Sequence, residues 1–329
     1  MSVALLAPLP LLFGRVHAQE GSGRTSATAA SGLVTVSASG IAARYPGDVG
    51  IENDPSIIFV EKFNESSLTA MTNRWTDSAG SMAFSTDVPA GNPAGSHSIK
   101  TQSVSGVSDG VQLYKVLQGL DLLYVRYYIK YPTNTVHHGN IGIGGNNPVS
   151  PWPVGIAGSK PSGSDAFIAE AEQNQNDAFD HYDYWMNMHP DAGGSYWGNW
   201  LLNDPNVKAD LGHWMCVEQM VKLNNPTTAF NGEHAFWMNG IKISHLGLGF
   251  PNGTWEGGIF TQSPTGTPFE GFRWRNTTSL NINFIWLTTY SPEYSTTLSF
   301  SNVVAATSYI GCLTPSNAPA PPKNLRILP

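Results

Sequence analysis

Charge is scarce in this 329-residue chain, where Asp, Glu, Lys and Arg together make up 12% of the positions. The 17 basic residues are dispersed among 24 acidic ones and the net charge is −7, so the clustered cationic footprint of a nucleic-acid partner is missing. Cysteine is almost absent too. Cys216 and Cys312 could close one disulfide in an oxidising compartment or persist as buried thiols. No H-E-x-x-H, short-spaced cysteine pair or EF-hand run occurs, so no cofactor is expected and no metal-ligating residue is nominated. A structural calcium held by backbone carbonyls would leave no signature. The absence of a Gly-rich phosphate loop sets aside the common nucleotide-binding class. Long apolar runs are missing except at the start, where Val3–Phe13 is followed by small residues at Val16 and Ala18 before Gln19. That pattern fits a signal peptide over 1–18 and a secreted or periplasmic product. The run is too short to span a hydrocarbon core of about 30 Å, so no membrane partner is expected after its removal.

Backbone punctuation is abundant, with 34 Gly and 23 Pro. So much of it suits many short strands rather than helices, and the class expected is all-β. Strand-like runs recur at 55–63, 111–116, 122–131, 179–189, 214–224, 233–246, 280–290 and 297–310, each bounded by Gly, Pro, Asn or Ser. Their spacing predicts a sandwich of two antiparallel sheets. Residues 19–50 are Ser-, Gly- and Ala-rich and 314–329 Pro-rich, so the folded unit is expected over 51–313, between a linker and a tail. Residues 165–176 have some helical flavour but read better as strand or loop.

The most informative stretch begins at Trp214. Trp214, Cys216, Glu218, Met220 and Lys222 alternate with Met215, Val217, Gln219, Val221 and Leu223 at the period of a strand. Asn239-Gly240 then suits a type I′ hairpin turn, because both positions need positive φ. In LYVRYYIKYP, Tyr124, Arg126, Tyr128 and Lys130 share a cationic, aromatic face. In FDHYDYWMNMHP, Tyr182 and Tyr184 face one way and His181, Asp183 and Trp185 the other.

Together, YVRYYIKYP, HHGNIGIGG, the W-x-x-x-E-x-x-V-K-L-N pattern at Trp214–Asn224, LNINFIWLTTY and FSNVVAATSYIG resemble secreted bacterial jelly-roll proteins related to the alginate and glucuronan lyases. The resemblance implies a concanavalin-like jelly roll over most of 51–312, with the Trp214 motif on a concave sheet that binds a polysaccharide. It also departs in two places. His137-His138-Gly139 stand where the family's Gly-rich loop carries a Lys, and Ser301-Asn302 where its closing strand carries paired aspartates.

β-Elimination from a uronate needs a group to neutralise the carboxylate, a base for the C5 proton and an acid for the leaving oxygen. Arg126 is the candidate neutraliser, assisted by Asn140 or Gln219. His138 or His137 is the candidate base, and Tyr184 or Tyr182 the acid, as the resemblance implies. Tyr128, Trp185, Trp197 and Trp200 offer stacking surfaces for sugar rings. Hydrolysis is the rival chemistry, since Glu170, Glu172 and Glu218 could supply its two carboxyls, the first two on one strand face, with Glu172 and Glu218 the favoured pair. Glu218 could instead orient Arg126 across the sheet. Sugar binding without catalysis is the third reading. A polysaccharide partner is common to all three, and the oligomeric state is left open.

Overall fold

The computed structural model describes residues 40–108, 110–133, 138–174 and 178–314. Its strands in chain order are β1 Ile57–Glu61, β2 Asp77–Ala79, β3 Ser81–Ser85, β4 Ser98–Ser103, β5 Gly110–Leu120, β6 Leu122–Lys130, β7 His138–Asn146, β8 Ala166–Ala169 and β9 Ala171–Gln173. They continue as β10 Phe179–His181, β11 Trp214–Lys222, β12 Glu233–Met238, β13 Ile241–Leu246, β14 Asn252–Glu256, β15 Ile259–Gln262, β16 Thr267–Pro268, β17 Ile282–Tyr290 and β18 Thr296–Ala306. The larger sheet runs β13-β12-β11-β6-β18-β4-β3 with β1 beside β18, and the smaller runs β2-β5-β17-β7-β8. Both are antiparallel, as the sandwich expectation requires.

Period-two alternation puts Val125, Tyr127 and Ile129 of β6 and Met215, Val217 and Val221 of β11 into the space between the sheets. Ile141 and Ile143 of β7 and Ile285 and Leu287 of β17 come to the same core from the other side. Burying each such side chain contributes about 1.5–3 kcal/mol. The Asn239-Gly240 turn joins β12 to β13 with φ of 50° and 80°, as its sequence requires.

The strand β7 is the surprise of the smaller sheet, because four of its nine residues are glycine. Glycine weakens strands in general and marks places where other groups come close. A Cβ on Gly145 would lie 2.0 Å from the Asn281 carbonyl oxygen, and one on Gly144 2.3 Å from the Phe284 ring. The segment with helical flavour is β8 and β9. Of the run expected over 179–189, only Phe179–His181 forms a ladder, the rest making isolated bridges at Asp183 and Tyr184.

The folded unit also starts earlier than the sequence suggests. Short 3-10 turns at Ile41–Arg44, Pro46–Asp48 and Ile51–Asn53 bury Ile41, Ala42 and Ile51 against Val60, Val304, Ala306 and Ile310. Ile41 N–H donates to Tyr309 O and Ala42 N–H to Ile310 O, so this segment and the one after β18 lie together across the outer face of the larger sheet. Residues 40–50 are therefore part of the fold rather than linker. Cys216 of β11 is disulfide-bonded to Cys312 in that covering segment.

Candidate active-site cleft

The two faces nominated from sequence have opposite fates. On the larger sheet Arg126 lies opposite Glu218, as the strand pattern implies, but both are covered. The Arg126 guanidinium is fully buried, donating to both carboxylate oxygens of Asp48 at 2.7 and 2.8 Å and to Asn302 O. Asn302, at a bulge with φ of 48°, also donates to Asp48, so the Ser301-Asn302 departure belongs to this cluster. Glu218 accepts the Ile310 and Gly311 backbone N–H groups at 2.7 and 2.8 Å, and Tyr128 Oη accepts that of Leu313. Arg126, Tyr128 and Glu218 thus hold the terminal segments down. Catalytic roles for Arg126 and Glu218 and a binding role for Tyr128 are corrected accordingly, and Glu218 secures the segment after β18 rather than Arg126.

Two further expectations fail in the interior. The Gln219 amide lies between the sheets, donating to Ile141 O at 2.8 Å. Trp185 is fully buried against Phe272 and Trp274, so it packs core instead of a sugar. The Trp214 motif is structural elsewhere as well: Trp214 Nε1 donates to Asp87, and Asn224 Nδ2 and Oδ1 bind the Arg275 backbone.

The wet face belongs to the smaller sheet. There a cleft of about 720 Å³ is lined by His138, Glu170, Tyr182, Tyr184, Trp197 and Trp286, among others. Its floor follows from register. Gly144 of β7 pairs with Ile168 of β8, and alternation then sets Gly142 beside Glu170 and Asn140 beside Glu172. Glu172 Oε1 sits 2.6 Å from His138 Nδ1, and Glu172 Oε2 accepts from Asn140 Nδ2 at 2.5 Å. Glu170 Oε1 occupies the space over Gly142, 3.1 Å from where a Cβ would lie. Glu170 and Glu172 do share a face. On the other side of β7, His138 pairs with Tyr290 and Gly142 with Trp286 of β17. Tyr182 and Tyr184 hang over this floor with hydroxyls 3.2 Å apart, and the Tyr182 ring packs on His138 and Trp200. Trp197 stands half exposed at the rim. His137 lies outside the described residues.

Electrostatics divide the labour here. Burial and the neighbouring Glu172 carboxylate push Glu170 up to about 8, against the opposing pull of His138 and Asn140. Burial disfavours a charged His138, but the Glu172 carboxylate outweighs it and raises the imidazole to about 9. Burial also raises Tyr182 and Tyr184, so both phenols keep their protons. Behind the tyrosines, on the opposite side of their segment, His181, Asp183 and His234 form a fully buried cluster.

Sequence reasoning therefore reached His138, Glu170, Tyr182, Tyr184, Trp197 and Trp200 in the lining, placed Asn140 and Glu172 in a site that they support from behind, and missed the contribution of β17. Phe284, Trp286, Thr288 and Tyr290 alternate at period two and were readable as one face.

No protein-family model matches the chain, and no curated protein matches it in sequence. Among solved structures, a marine PL-14 alginate lyase from Aplysia kurodai superposes with a TM-score of 0.51 at 14% identity, covering 77% of this chain and 99% of its own. Alginate lyase vAL-1 from Chlorella virus gives a TM-score of 0.48 at 15% identity, covering 75% and 100% respectively. The fold is the jelly roll that the Aplysia enzyme has.

Proposed function

We propose that the protein is an exported enzyme that cleaves an acidic, uronate-containing polysaccharide by β-elimination in this cleft. The observation that carries the reading is the meeting of His138, Glu170, Tyr182 and Tyr184 on one aromatic-walled floor, with Glu172 and Asn140 buried behind it. With its pKa raised to about 9, His138 is an imidazolium at neutral pH. It therefore suits the carboxylate-neutralising role first given to Arg126, and not that of the base. Glu170, at about 8, is the better base, since its ionised form becomes available near working pH. Its carboxylate takes the C5 proton, the C4–C5 double bond forms as the C4–O4 bond breaks, and Tyr184 or Tyr182 protonates the departing oxygen. Trp197 and Trp200 offer faces for flanking sugars. The fold shared with an enzyme acting on alginate supports this reading, and the Cys216–Cys312 disulfide supports a secreted or periplasmic location.

The sign of the pH dependence follows. The base works above the Glu170 pKa of about 8 and the neutraliser below the His138 pKa of about 9, so elimination is expected in a narrow alkaline window between them. A second reading, hydrolysis, has one observation in its favour: Glu170 and Glu172 lie on one strand face with interacting charges. In that chemistry Glu170 is the acid and must be protonated, so activity falls as pH rises through about 8. Purified protein incubated with polyuronates and neutral glycans separates the two. Ultraviolet absorbance of unsaturated uronides, rising through pH 8, is expected; reducing ends without that absorbance would make the enzyme a hydrolase.

A further inference from the structure

Interiors seldom hold two imidazoles and a carboxylate in contact, yet His181, Asp183 and His234 are all fully buried. His181 Nδ1 lies 3.0 Å from His234 Nδ1, and His234 Nδ1 lies 2.8 Å from Asp183 Oδ2. The surrounding hydrogen bonds decide what those atoms carry. Gln219 Nε2 is committed to the Ile141 carbonyl at 2.8 Å, which turns Gln219 Oε1 toward His234 Nε2 at 3.3 Å. His234 Nε2 must therefore be the N–H donor, and a neutral His234 presents a bare Nδ1 lone pair. That lone pair faces a carboxylate oxygen on one side and a second imidazole nitrogen on the other. One proton on His234 Nδ1 can serve only one of these contacts well. A single divalent cation serves both.

We propose that His181, Asp183 and His234 form a structural site for a divalent transition-metal ion of the zinc class. Two imidazole nitrogens and one carboxylate oxygen match zinc's preferences better than those of calcium or magnesium, which take oxygen ligands. With zinc–ligand bonds of about 2.0–2.1 Å, tetrahedral neighbours stand about 3.3 Å apart, so the pairs at 3.0 and 2.8 Å need only open by a few tenths of an ångström, and a water would complete the four ligands. The outer partners are those a metal site requires. His234 Nε2 is held by Gln219, His181 Nε2 lies 2.9 Å from Ser244 Oγ, and Asp183 Oδ1 accepts the Glu170 backbone N–H at 3.1 Å.

The placement gives the ion a purpose. His181 and Asp183 alternate with Tyr182 and Tyr184, whose side chains enter the cleft, while His234 stands on β12 of the larger sheet. An ion there would pin the back of the tyrosine segment to the opposite sheet. Its role is positional, since the cleft chemistry proposed above runs without it.

The test uses the full chain made without a polyhistidine tag. Elemental analysis after dialysis against zinc is expected to find about one ion per chain, and cobalt substitution to give tetrahedral d–d absorption. Removing the ion with a strong chelator is expected to lower Tm by about 10 °C, restored by zinc. His234→Gln is expected to lose the ion. A wild-type protein that binds no zinc, with a Tm indifferent to chelator, would overturn the site and leave a hydrogen-bonded cluster. Full retention of the ion by a folded His234→Gln variant would overturn it too.

Discussion

The Glu172 carboxylate touches His138 and Asn140 and its charge reaches Glu170, so one buried side chain sets three others. Glu172→Gln keeps the shape and removes the charge. Because that charge raises both His138 and Glu170, both limbs of the pH–rate profile are expected to move to lower pH, by about one unit or more. A profile left in place would show that the imidazole is tuned by something else. Arg126 makes the opposite case. Its pairing with Asp48 is fully buried, so Arg126→Met strands a carboxylate and is expected to cost about 3–5 kcal/mol in urea unfolding. The kcat of whatever remains folded should be unchanged. A stable variant with a collapsed kcat would put Arg126 back in the catalytic machinery.

Among the elements, β7 was the least legible and is the most consequential for the site. Its glycines read as loop because glycine is depleted from strands, whereas here they admit the Asn281 carbonyl, the Phe284 ring and the Glu170 carboxyl. Gly142→Ala tests the last of these. The added methyl would meet Glu170 Oε1 at 3.1 Å, so kcat is expected to fall about tenfold with Tm little altered, displacement of a base being costly. Unchanged kcat would remove Glu170 from the chemistry. Alternation revealed the two faces of β6 and β11 in sequence. It could not tell which face would be covered, because the cover on β6 and β11 comes from residues remote in the chain, 41–53 and 307–313. Hence the charged, aromatic face of Arg126 and Glu218 passed for a binding surface. The Tyr182–Tyr184 face, which lines the cleft, kept its expected place.

At the scale of the molecule, the terminal segments act as one clasp. Glu218, Tyr128 and the disulfide all grip residues 310–313. A disulfide closing a loop of 96 residues contributes about 2–5 kcal/mol by constraining the unfolded chain. Cys312→Ser is therefore expected to lower the unfolding free energy measured in urea by that amount; an unchanged free energy would leave the polar grips as the whole of the clasp. The clasp also brings Gly47 N–H to Thr314 O at 2.9 Å, so the first and last described residues leave from the same side of the fold. That side backs the larger sheet, and the cleft opens from the smaller one. On the function proposed above, a polymer bound in the cleft would therefore lie across the face opposite residues 40 and 314.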